Sequence, residues 1–142
     1  MEGKRMKEIS EAYEAAQHAH ASLLKAHGDL KSAGNWGVYD IIGGGLPATL
    51  IKRMRMRTAR EHMDEAGAAM RRLQRELQDV NLTGELDEAL DGFLGVADLF
   101  MDGLFADMMV QRKIRDAEER VNRALEKVEH VRGLLRAEMD RG

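Results

Sequence analysis

"IRDAEERVNRALEKVEHVRGLL", residues 114–135, decides how this chain folds. Ile114, Ala117, Val121, Ala124, Val128, Val131 and Leu135 recur at alternate steps of three and four, and most residues between them are charged or polar. That spacing keeps all seven on one stripe of a helix, the pattern of a coiled-coil seam. A half-buried strand would alternate by two instead.

The pattern occurs twice more. Ile9, Ala12, Ala16, Ala19, Leu23, Ala26 and Leu30 form one row, and Met56, Ala59, Met63, Ala66, Met70, Leu73, Leu77 and Val80 another. The predicted fold class is all-α: a bundle of three to four long, mostly antiparallel helices with coiled-coil-like seams. It forms a single domain over 1–142, with helices expected at about 6–33, 47–80, 85–102 and 105–139. Alanine at alternate seam positions of the first helix predicts a close neighbour, because small side chains let helix axes approach.

Composition agrees. The chain of 142 residues is 44% hydrophobic, 33% charged and only 4% aromatic, with one Pro and no Cys. Its length suffices for one buried core. Without cysteine there are no disulfides, thiolate metal sites or Cys nucleophiles, which suits a reducing compartment. The first residues, "MEGKRMKEISEAYEAAQ", lack the apolar core of a signal peptide. No run of about 18 uncharged apolar residues suggests a membrane span. The expectation is a cytoplasmic protein.

The net charge of −3 conceals a split. Residues 52–75 carry Lys52, Arg53, Arg55, Arg57, Arg60, Arg71, Arg72 and Arg75, whereas 76–111 contain nine acids and no Lys or Arg. A hairpin about 81–84 would set Asp91 opposite Gln74, Asp102 opposite Met63 and Asp107 opposite Thr58. The two stretches would then neutralise each other. Thr83 is the expected N-cap of the third helix, and a break is expected near Asp102–Ala106, an unbroken rod being the alternative.

The least ordinary stretch is "GNWGVYDIIGGGLPATLIKRMRMRTAR", residues 34–60. It is read as an apolar Gly-rich connection over 34–46, entered through Gly34 in the left-handed conformation that ends many helices. A second helix opens at Pro47, where a missing N–H costs nothing. Trp36, Gly43, Gly44, Gly45, Lys52, Arg53 and Arg55 are its candidate anion or membrane contacts. Glycines before a helix N-terminus can hold phosphate, and alternating basic and apolar residues can meet a lipid surface. The Gly-Lys-Ser/Thr of a P-loop is absent.

Asp98 and Asp102 lie one turn apart on a helix apolar over most of its circumference, and the hairpin register brings His62 near Asp102. These three are the candidate metal ligands, although the Glu-x-x-His pairs of di-iron bundles are missing. No catalytic residue and no cofactor are assigned. Ser10, Ser22 and Ser32 all lie on or just beyond the first helix, none in a nucleophile elbow. The net charge and the lack of aromatic platforms disfavour nucleic acid as partner.

"WGVYDIIGGG", "MDEA", "LQRELQDV" and "VADLFMDGLFAD", within residues 36–110, resemble small uncharacterised helical proteins of bacteria. The resemblance implies a bacterial origin and no activity. The functional expectation is a non-catalytic interaction or scaffold protein that self-associates through the seam of Ile114, Val121, Val128 and Leu135. The alternatives are a peripheral membrane-surface module and a small-ligand or metal-binding bundle.

Overall fold

The computed structural model describes the backbone of residues 2–43, 46–80, 84–101 and 111–141. It describes the side chains of 3–31, 57–80, 84–98, 100 and 115–141. Four helices occupy those segments: α1 (Glu2–Gly43), α2 (Leu46–Asp79), α3 (Glu85–Met101) and α4 (Gln111–Arg141). The protein is an all-α bundle.

The three seams form its core. Every member with a described side chain is buried, from Ile9 to Leu30 on α1, Ala59 to Val80 on α2 and Ala117 to Leu135 on α4. α3 adds Leu86, Ala89, Phe93, Ala97 and Phe100. α1 lies between α2 and α4, and α3 rests mainly on α4, touching α2 much less. Residue numbers rise along one helix as they fall along its neighbour, as Arg5–Glu138 and His20–Glu129 show for α1 and α4. Asp29 meets His62, Arg5 meets Glu138, and Gly92 lies beside Lys127. Neighbouring helices are therefore antiparallel. The most extensive packing belongs to α1, as its alanine-rich seam leads one to expect.

Three element ends differ from the sequence reading or sharpen it. α1 does not stop near residue 33 but runs to Gly43, so the expected connection over 34–46 is helical almost throughout. The reason lies in local energetics. A single glycine in a helix costs about 1 kcal/mol relative to alanine, too little to end a helix when no proline occurs before Pro47. Pro47 is the second residue of α2, within the first turn.

The start of α3 belongs to Gly84, at φ 59°. Its carbonyl accepts a hydrogen bond from the Glu88 N–H at 3.3 Å, which makes it the N-cap. Glu85, Asp87 and Glu88 follow in the first turn, where negative charge meets the positive end of the helix dipole. The expected cap Thr83 and the expected break near Asp102–Ala106 lie outside the described residues.

The charge pairing expected between the acids of 85–91 and the arginines of 71–75 does not form among the described residues, and Asp102 and Asp107 lie outside them. Among the described residues the inter-helix ion pairs run from α1 to α4 and from α1 to α2. Glu138 meets Arg5 at 3.4 Å and Arg141 at 3.1 Å; Glu129 meets His20 at 3.2 Å and Arg132 at 2.7 Å. Arg136 lies 5.9 Å from the centre of the Tyr13 ring. The Tyr13 hydroxyl, with help from Asp140, raises the guanidinium above its already high ordinary pKa. α3 leans on α4, and its acids stay in solvent.

Candidate functional site

Residues 13 and 20 of α1 touch α4, while 18, 22, 25 and 29 lie on the side facing α2. Along that second side runs an open groove of about 430 Å³ between α1 and α2. Buried Ser22 and Ala69 line it together with exposed Ala68, Lys25, Arg75 and half-buried Arg72, and Glu65 is the one acid among its described lining residues. Ser22 is 5% exposed, the sole buried polar residue among those described.

The helices explain this placement. Ala68 and Ala69 stand beside the α2 seam, and Ser22 beside Leu23 of the α1 seam. Small residues at a seam edge leave space where larger ones would close the joint. Long cationic side chains one turn away then extend over the gap, their stems along apolar surface and their heads in water. None of Lys25, Arg71, Arg72 and Arg75 forms an ion pair with another described residue.

The opposite charge is displayed on α3. Glu85, Asp87, Glu88, Asp91 and Asp98 are all exposed, and none is ion-paired with a described residue. A second groove, of about 310 Å³, separates α3 from α4 beside Val96 and Phe100. Asp116 and Glu119 there face Arg120 and Arg123, so its charges balance.

Few of the site residues singled out by sequence have described side chains. His62 is half-buried and contacts Asp29 of α1. It lies on the α1 side of its helix, whereas Asp98 is exposed on α3. Asp102 lies outside the described residues, and so do Gly44, Gly45 and the side chains of Trp36, Gly43, Lys52, Arg53 and Arg55. Among the described residues no three His, Asp or Glu side chains gather as metal ligands, and no helix is long and apolar enough to cross a membrane. Val121, Val128 and Leu135 are fully buried inside this chain; the side chain of Ile114 is not described.

No protein-family model matches the chain, and neither does any curated protein or solved structure.

The groove residues were visible in the sequence only as ordinary helix-surface positions. The signal that could have found them is the doubling of small residues at seam edges, with arginines a turn away. The hairpin argument gave those arginines to the acids of α3.

Proposed function

We infer that the protein is a non-catalytic helical interaction protein, a scaffold that associates with copies of itself through charged outer surfaces. The observation that carries this reading is the charge separation that persists after folding. One helix exposes five acids that pair with no described residue, and a groove between two others collects cations that likewise pair with none. Exposed single-sign surfaces steer encounters and select partners. The apolar seams do not serve this purpose, because their described members are covered within the chain. A cytoplasmic setting accompanies the reading, in keeping with a chain that contains no cysteine.

The test is the mass of the purified protein in solution across a wide concentration range, by sedimentation velocity or light scattering. Concentration-dependent species above the 15.9 kDa of one chain are expected. A single species of that mass throughout contradicts self-association.

A further inference from the structure

We propose that the acidic outer face of α3 in one copy docks into the cationic groove between α1 and α2 of a second copy. This rests on the self-association reading above and gives it two defined surfaces.

The groove suits a helix. Its small lining residues Ser22, Ala68 and Ala69 let a helical backbone come close, and a groove between two antiparallel helices is a common seat for a third. Its rim sets Lys25, Arg72 and Arg75 against Glu65 alone. The occupant is identified by charge and length. Asp87, Asp91 and Asp98 share one side of α3 and are exposed. At about 1.5 Å per residue they span about 16 Å. The register that sets Asp29 against His62 brings Lys25 level with residues 65–66 of α2, and Arg75 lies ten residues beyond Glu65, about 15 Å. Gly95 lies between the acids on the same outward side, exposed, with nothing within 4 Å of where a Cβ would stand. A partner backbone meets no side chain there.

A chain cannot fill its own groove, because its α3 is held against α4. The contact is heterologous: each copy offers one acidic face and one groove. Such contacts close into rings or extend as chains. Glu65 opposes the docking acids and holds the affinity down.

Sedimentation velocity tests this with five samples. Wild-type protein is expected to associate at about 0.1 M salt and to dissociate at about 1 M, where the screening length falls from about 10 Å to about 3 Å. Arg72→Glu/Arg75→Glu and Asp87→Lys/Asp91→Lys are each expected to weaken association about tenfold or more. Mixing the two is expected to restore it, since each reversed surface then finds its opposite. Glu65→Gln is expected to strengthen association. These positions are exposed or half-buried, and unchanged melting curves show that the variants fold. If wild type associates but salt and charge reversal leave it unmoved, or the mixture stays monomeric, the docking is overturned and self-association stands. If wild type is monomeric under every condition, both are overturned.

Discussion

Leu24 and Leu73 carry the same side chain and have opposite surroundings. Leu24 is 50% exposed on α1, while Leu73 is fully buried on α2. Truncating a buried leucine removes transfer energy and leaves a cavity. Leu73→Ala should therefore lower unfolding free energy by about 2–5 kcal/mol in urea titrations, and Leu24→Ala should change it by no more than about 0.5 kcal/mol. His62 and Asp29 join α1 to α2 from half-exposed positions, so their coupling in a double-mutant cycle should not exceed about 1 kcal/mol. A coupling of several kcal/mol would mean that the pair is a far greater part of the fold than its exposure implies. At this scale the sequence was informative about apolar residues and poor about polar ones. Burial follows from a repeat that one chain displays openly. Which acid meets His62 depends on how the helices pack, and the described partner is Asp29 of α1.

Among the elements, the glycines divide by conformation. Gly84 has φ 59°, a region that costs other L-residues about 1–2 kcal/mol. Gly84→Ala should destabilise by about 1 kcal/mol, although nothing stands within 4 Å of the added Cβ. Gly133 sits inside α4, exposed and equally uncrowded. There alanine restricts the unfolded chain and favours the helix, so Gly133→Ala should stabilise by about 0.5–1 kcal/mol. Thermal melts of the two variants should shift in opposite directions. The same weighing explains which boundaries were legible. α2 and α3 start within a residue of where a proline and a turn-forming glycine place them. The end of α1 was misplaced by ten residues, because Gly34 and Gly37 resemble punctuation but cost a long helix little.

In the whole molecule, three periodic rows predicted the bundle class, and each described row is buried. Periodicity identifies a face that must be covered; it does not name what covers it. The order of contacts, α2–α1–α4–α3, depends on packing that no single helix encodes. It leaves the acids of α3 unpaired and the α1–α2 groove cationic, and the interaction reading follows from that. The central claim is that the seam of α4 is closed within one chain, so that association uses charged surfaces. The chain has no cysteine, so a Val128→Cys variant carries a single thiol at the centre of that seam. Its rate of reaction with a thiol reagent should be slow, and the same at low and high protein concentration. A rate that rises steeply on dilution would mean that a second copy covers the seam, and would contradict the account.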